Sequence, residues 1–176
     1  IITLLEDESL PFDERLFSVL LFARKLQYNV EKSRYDKTAP EIIREKIVID
    51  MEKVIRYFST LEVIDEKWSD YIKELCDKAS ATDVFMSRCK EDYRDANSYL
   101  ENIAVYFIWR YFMYSLFDYE VYSKVWLAVI STLFIERMFI LAYSEGKGLT
   151  LERCSVLAKN YSKEIEYSEE NLFSVM

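Results

Sequence analysis

The fold is decided by residues 97–143, which read NSYLENIAVYFIWRYFMYSLFDYEVYSKVWLAVISTLFIERMFILAY. Apolar residues in this stretch fall on nearly every face of a helix rather than on one stripe. A helix that is hydrophobic all round is buried, either in a protein core or in a membrane. We therefore expect two buried helices, from about Asn97 to Phe117 and from about Tyr119 to Ser144, with a break at Asp118–Tyr119.

Charged residues argue against a membrane span in this stretch. A span needs roughly 20 consecutive, mostly apolar residues. The longest run without a charge is Val125–Ile135. Charges interrupt the rest of the stretch at Arg110, Asp118, Glu120, Lys124, Glu136 and Arg137. The sequence thus predicts two core helices of a soluble domain.

The composition of the whole chain also favours helices. Apolar residues make up 51% of the 176 residues, which excludes a disordered chain. The sequence contains only two glycines and two prolines, so few residues can break long helices. We expect an all-α fold, a single domain over residues 1–176, with a bundle of about seven helices around the two central ones. Because the sequence opens on Ile1 rather than Met, we expect it to be a piece of a longer protein.

Local cap and turn residues place the flanking helices. A first helix should start at Ser9–Pro11 and reach about Val30, followed by a polar loop over Glu31–Thr38. A second should run from Pro40 to Ser59–Thr60. The remaining helices should be capped at their N-termini by Asp65, Thr150 and Ser168, with a glycine loop over Glu145–Gly148.

The net charge and the cysteines limit the kinds of binding partner and the cellular compartment that we expect for this protein. The formal net charge is -8, so binding to nucleic acid phosphates is not expected. The three cysteines, Cys76, Cys89 and Cys154, lack CxxC spacing, which is typical of a reducing, cytoplasmic setting.

Several kinds of chemistry are excluded by residue type. The chain has no histidine, which removes Ser-His-Asp and Cys-His nucleophile pairs and the commonest transition-metal ligand. Three scattered cysteines cannot complete a Cys-only zinc site. The GKG sequence at residues 146–148 is not GxGxxG and follows a helix. We therefore expect no metal site and no site for S-adenosylmethionine in this segment.

Buried charges and aromatic residues are the remaining candidates. Carboxylates lie in or beside the apolar stretch at Glu101, Asp118, Glu120 and Glu136, with Arg110 and Arg137 as natural counter-ions. One interpretation is an internal ion-pair network. The other is that these residues act in general acid/base catalysis or bind a substrate cation. The fourteen Tyr, eleven Phe and three Trp residues suit core packing or cation–π recognition of an ammonium group.

Residues 161–172 read YSKEIEYSEENL and resemble the C-terminal signature of the flagellin lysine-N-methylase (FliB-like) family. Two further stretches support the resemblance. Leu100-Glu101-Asn102 is similar to a Glu-Asn pair in that family, and Leu10-Pro11 with Glu14-Arg15-Leu16 is similar to the start of one of its helices.

The resemblance implies methyl transfer from S-adenosylmethionine to lysine side chains of flagellin. It also implies that full-length members carry a cysteine-rich N-terminal region that holds a metal ion or an iron–sulfur cluster. On this basis the segment would be a scaffold or substrate-binding part rather than a complete catalyst. Two alternatives stay open, a non-enzymatic helical protein-interaction module and a small-ligand-binding helical domain.

A candidate polar cluster follows from these observations. Its members are Glu101, Asn102, Arg110, Glu136, Arg137, Tyr161, Glu164 and Asn171. We expect Tyr161, Glu164 and Asn171 to converge near Glu101 and Asn102, where they could orient a lysine amine or support a cofactor site elsewhere. The alternative is that the acidic tail only caps helices and faces solvent.

Overall fold

The computed structural model describes residues 1–35, 48–79, 94–146 and 148–176. All regular structure within these ranges is helical, so the predicted all-α fold is confirmed. The α-helices in chain order are α1 (Ile2–Leu5), α2 (Phe12–Tyr35), α3 (Met51–Phe58), α4 (Glu66–Asp77), α5 (Arg94–Tyr111), α6 (Ser115–Asp118), α7 (Val121–Ser144), α8 (Leu151–Glu166) and α9 (Glu169–Val175). A single 3-10 turn, Phe112–Tyr114, connects α5 to α6.

The chain forms two compact units. Unit 1 comprises Ile1–Val48 and Ala104–Ile130, and unit 2 comprises Ile49–Ile103 and Ser131–Met176. Helices α5 and α7 each contribute one part to unit 1 and the other part to unit 2. The expectation that residues 1–176 are one domain of a longer protein stays a prediction.

Helix α7 is the core helix that its sequence predicts. All residues from Leu127 to Glu136 are buried, which covers almost three turns and therefore every face. By length and apolar content α7 could cross a membrane, but 89% of its most apolar window is buried inside the fold. This burial is typical of the core helix of a globular protein.

Helix α5 and the turn after it differ from the expectation of burial on all faces. Leu100, Ala104 and Phe107 are buried on one face, whereas Trp109 is 69% exposed. Beyond the helix, Phe117 is 82% exposed. The prediction that the helix from about Asn97 to Phe117 is buried on every face is therefore wrong. Because its residues are apolar on several faces, the sequence pattern could not show which face would be covered.

The predicted break at Asp118–Tyr119 is confirmed. Tyr119 has φ 65, a left-handed conformation that ends α6. The Gln27 side chain of α2 closes the turn: its amide donates to the Tyr119 carbonyl at 3.1 Å, and its oxygen accepts from the N–H groups of Val121 and Tyr122 at 2.7 and 3.2 Å. Gln27 thus supplies an acceptor for the first N–H groups of α7, which have no partner within the helix.

The predicted caps are also confirmed. The side chains of Asp65, Thr150 and Ser168 accept hydrogen bonds from backbone N–H groups in the first turns of α4, α8 and α9. Gly146, with φ 72, lies just after the end of α7, as expected for a glycine that stops a helix.

Three helix boundaries differ from the prediction. Helix α5 ends at Tyr111, where we expected the helix to reach about Phe117. Helix α2 continues through the polar residues Glu31–Tyr35, where we expected a loop. The predicted helix from Pro40 is interrupted, because residues 48–50 are not helical and α3 starts at Met51. The reason is Asp50, whose side chain accepts from Lys53 N at 3.2 Å and so caps a new helix. The rest of that prediction, at residues 40–47, lies outside the described ranges.

Candidate functional site

The residues 161–172 that carry the family resemblance pack against the turn between α3 and α4. In this turn, Ser59–Asp65, the first three N–H groups bond to carbonyls of α3, whereas those of Glu62, Ile64 and Asp65 bond to side chains of α8 and α9. Helices α8 and α9 bring Glu164, Ser168 and Asn171 to it, all within unit 2. We call these three residues and their partners in the turn the tail cluster.

Glu164 accepts hydrogen bonds from the last two residues of the turn. Its side chain is buried, with only 1% exposed. The two carboxylate oxygens accept from Ile64 N and Asp65 N, each at 2.9 Å. Hydrogen bonds from neutral donors to a carboxylate are among the stronger ones in proteins, so this buried charge has two good partners.

Asn171 binds the beginning of the same turn. Its Oδ1 accepts from Glu62 N at 2.9 Å, and its Nδ2 donates to the carbonyl oxygens of Glu62 and Glu164, both at 2.8 Å. Ser168 Oγ donates to the Glu62 carboxylate at 2.8 Å. The tail cluster therefore holds α8, α9 and the turn together through side-chain bonds to backbone, which is a structural role.

Tyr161 belongs to the neighbouring aromatic core. It is fully buried, and its hydroxyl donates to Ser131 Oγ of α7 at 2.8 Å. Its ring centroid lies 5.5 Å from Phe134 and 6.0 Å from Phe58. The hydroxyl thus has the partner that a buried tyrosine requires.

The other predicted site residues lie on α5 and α7. Glu136 is buried and Arg137 is half-buried on α7, and Glu101 and Asn102 lie on α5. The guanidinium of Arg110 lies 5.8 and 5.7 Å from the ring centroids of Tyr106 and Tyr111 in unit 1.

The structure brings Glu164 and Asn171 together directly, and it places Tyr161 one turn before Glu164 on α8. Contact of these three with Glu101 or Asn102 stays a prediction.

A cleft of about 360 Å³ opens beside the tail cluster in unit 2. Aromatic, apolar, charged and amide side chains line it: Trp68, Tyr71, Met138, Leu157, Asp65, Glu164, Lys67, Lys163 and Asn160. The formal charges of its two acids and two lysines cancel. Among these residues, Asp65 is the carboxylate that a ligand can reach, because Glu164 is only 1% exposed.

The polar groups of the cleft are held by hydrogen bonds. Lys163 Nζ lies 2.9 Å from Asp65 Oδ2, and this bond, followed by the N–H of Lys67, lowers the pKa of the Asp65 carboxyl. The Tyr71 hydroxyl donates to the Met138 carbonyl at 3.2 Å. Burial, reinforced by the charges of Glu145 and Glu74, raises the pKa of Tyr71 far above its usual value, so this hydroxyl stays protonated.

Sequence reasoning missed the turn Ser59–Asp65 as the partner of the tail, and it missed Trp68 and Tyr71 as lining residues. The position of Glu164 in the sequence could have indicated that the tail needs a hydrogen-bonding partner such as this turn. Glu164 lies between the buried residues Tyr161 and Ile165 on α8, so its side chain had to face the interior and needed donors there.

The sequence model of the FliB lysine N-methylase C-terminal domain matches residues 1–176. The chain belongs to this family. No curated protein and no solved structure matches it. The resemblance to the FliB family is therefore confirmed, and the tail cluster shows that residues 161–172 include side chains that fix the fold.

The resemblance implies a metal ion or an iron–sulfur cluster for full-length FliB proteins. No group of three or more Cys, Asp or Glu side chains in the described ranges could hold a metal ion. Burial raises the pKa of the Cys76 and Cys154 thiols, which disfavours the thiolates that a metal or cluster needs. Cys89 lies outside those ranges.

The pKa of Asp65 offers a test of the cleft electrostatics. We expect Lys163→Ala to raise this pKa toward the ordinary aspartate value, because the variant removes the largest cause of the lowering and leaves the Lys67 N–H. The stabilisation by this pair is present above the ordinary pKa and is lost as the pH falls through the lowered one. NMR titration of the Asp65 carboxyl carbon measures the shift. Lys159→Ala on the same helix should leave it unchanged, and an equal effect of both variants would contradict the assignment.

Proposed function

We propose that this domain takes part in the N-methylation of lysine side chains of flagellin as the part that binds the substrate. The match of residues 1–176 to the FliB lysine N-methylase C-terminal domain carries the proposal. The absence of histidine from the sequence supports a binding role rather than a catalytic one. The methyl donor, S-adenosylmethionine, and a cysteine-ligated metal or cluster would then be held by a cysteine-rich N-terminal region of the full-length enzyme, in the cytoplasm.

The cleft beside the tail cluster is our candidate for the lysine side chain. Tyr71 offers an aromatic face that attracts an ammonium group, and Leu157 offers apolar contact for the methylene stem. Trp68 and Met138 also line the cleft, but they are only 6% and 1% exposed. An incoming lysine ammonium can replace Lys163 at the exposed carboxylate of Asp65. The cleft therefore supplies an exposed carboxylate for the ammonium group and apolar contact for the stem, although charged and amide side chains also line it.

Filling the cleft tests this proposal in the full-length methylase. Asn160 is exposed and lines the cleft, so Asn160→Trp should block it without disturbing the core. We expect KM for a lysine-containing flagellin substrate to rise about tenfold, equivalent to about 1.4 kcal/mol of lost binding. We expect kcat/KM to fall by at least the same factor, because the methyl group is transferred to the side chain that the cleft binds.

Lys159→Trp is the matched control, because Lys159 is exposed on the same helix and does not line the cleft. It should leave KM unchanged. If Asn160→Trp and Lys159→Trp behave alike, the cleft does not take the substrate.

A second candidate function is a non-enzymatic protein-interaction module. The observation that favours it is the exposure of large apolar side chains between Trp109 and Phe117 in unit 1. If this is the whole function, deletion of the domain should abolish capture of a partner while lysine methylation by the remaining enzyme continues.

A further inference from the structure

Lys163 of α8 already holds a lysine ammonium against the exposed carboxylate of the cleft. Its Nζ lies 2.9 Å from Asp65 Oδ2, and both residues line the cleft. The two side chains are 47% and 40% exposed, so burial does not lock either of them in place. Ion pairs between exposed side chains are weak, and this one can therefore be exchanged for another.

Asp65 itself is fixed, and only one of its carboxylate oxygens takes part in the exchange. Its backbone N–H donates to Glu164 at 2.9 Å, and its Oδ1 accepts from Lys67 N at 3.0 Å as the cap of α4. Oδ2 is the oxygen that pairs with Lys163. A second ammonium can thus take the place of Lys163 at Oδ2 while the cap on α4 stays intact.

The charges of the cleft set a condition on the lysine that replaces Lys163. In formal charge, Asp65 and Glu164 balance Lys67 and Lys163. A substrate ammonium adds one positive charge, and the displaced Lys163 stays tethered to α8 beside it. Like charges repel at this distance, so the complementary ligand brings a negative charge as well as a positive one.

We propose that Lys163 makes the cleft selective for a lysine that has an acidic side chain beside it on the substrate. The substrate ammonium takes the place of Lys163 at Asp65, and Lys163 pairs with the substrate carboxylate. Two ion pairs between domain and substrate then replace one within the domain, and the charges of the cleft balance again. This selectivity rests on the proposed function, because it needs a cleft that takes the substrate lysine.

Binding of two peptides to the full-length methylase tests the selectivity. Each is a capped, fluorescently labelled peptide of five residues whose central lysine is flanked on both sides by glutamate or, in the second peptide, by glutamine. Fluorescence anisotropy without methyl donor gives the two Kd values. We expect the glutamate peptide to bind about three- to fivefold more tightly, as the strength of an exposed ion pair implies.

Variants of Lys163 assign the preference to its charge. In Lys163→Gln the ratio of the two Kd values should fall below about twofold. The glutamine peptide should bind this variant at least as tightly as the unaltered protein, because no ion pair at Asp65 has to be broken. Lys163→Arg keeps the charge and should keep the preference. Lys159→Gln, at an exposed lysine on the same helix that does not line the cleft, should keep it too.

Equal affinity of the two peptides for the unaltered methylase would overturn the selectivity. So would a preference that survives Lys163→Gln, or one that Lys159→Gln removes equally well. Asn160→Trp separates these failures from failure of the proposed function. If it weakens binding of both peptides and the preference is absent, the cleft takes the lysine and only the selectivity is wrong. If neither peptide binds, or Asn160→Trp has no effect on binding, both proposals fall.

Discussion

Phe134→Ala is expected to lower the free energy of unfolding by about 3–5 kcal/mol, the largest effect of any single change proposed for this domain. Phe134 of α7 is fully buried and stacks on Phe58 of α3 with ring centroids 4.3 Å apart. Its ring also lies 6.1 Å from Trp68 and 5.5 Å from Tyr161. Truncation removes all of these contacts. It leaves a cavity between α7 and helices α3, α4 and α8, which the remaining aromatic rings cannot easily fill.

Urea denaturation followed by circular dichroism measures this loss. Phe173→Ala is the matched control, because Phe173 is 69% exposed and its removal should change stability by less than about 0.5 kcal/mol. The fluorescence of Trp68 should also change in Phe134→Ala, since the two rings are neighbours. A loss below about 1 kcal/mol would contradict the central place given to Phe134.

Local features of this domain were predictable because their causes are local. Asp65, Thr150 and Ser168 cap helices through bonds to N–H groups two or three residues away, so the signal lies within one turn of sequence. Helix α7 was predictable for a different reason. Its residues are apolar on every face, and only burial on every face satisfies them.

Features that depend on distant contacts were not predictable. Glu164 binds Ile64 and Asp65, about 100 residues earlier in the chain, and nothing in the sequence around either segment specifies the other. The exposed face of α5 is a second example. Trp109 and Phe107 are both large aromatic residues, yet Trp109 is 69% exposed and Phe107 only 2%. The difference arises because only one face of α5 packs against the rest of the fold. Hydrophobicity alone cannot predict which face of α5 is buried, since it does not specify which other element packs against the helix.

Glu164→Gln is expected to lower the free energy of unfolding by about 3 kcal/mol, although it is nearly isosteric. Both carboxylate oxygens accept backbone N–H groups, from Ile64 and Asp65. Glutamine keeps one oxygen but sets its NH2 group against the other N–H, so two donors face each other in a site where Glu164 is 1% exposed. The turn before α4 should then open more readily, and the cleft that Asp65 lines should open with it.

The matched control is Glu170→Gln, the same chemical change at an exposed residue in the first turn of α9. It should cost less than about 1 kcal/mol, through a weaker interaction with the helix dipole. Hydrogen exchange provides the local test: the amides of Ile64 and Asp65 should exchange on the order of 100-fold faster in Glu164→Gln, as about 3 kcal/mol implies. If both variants leave these two amides equally protected, then Glu164 does not hold the turn.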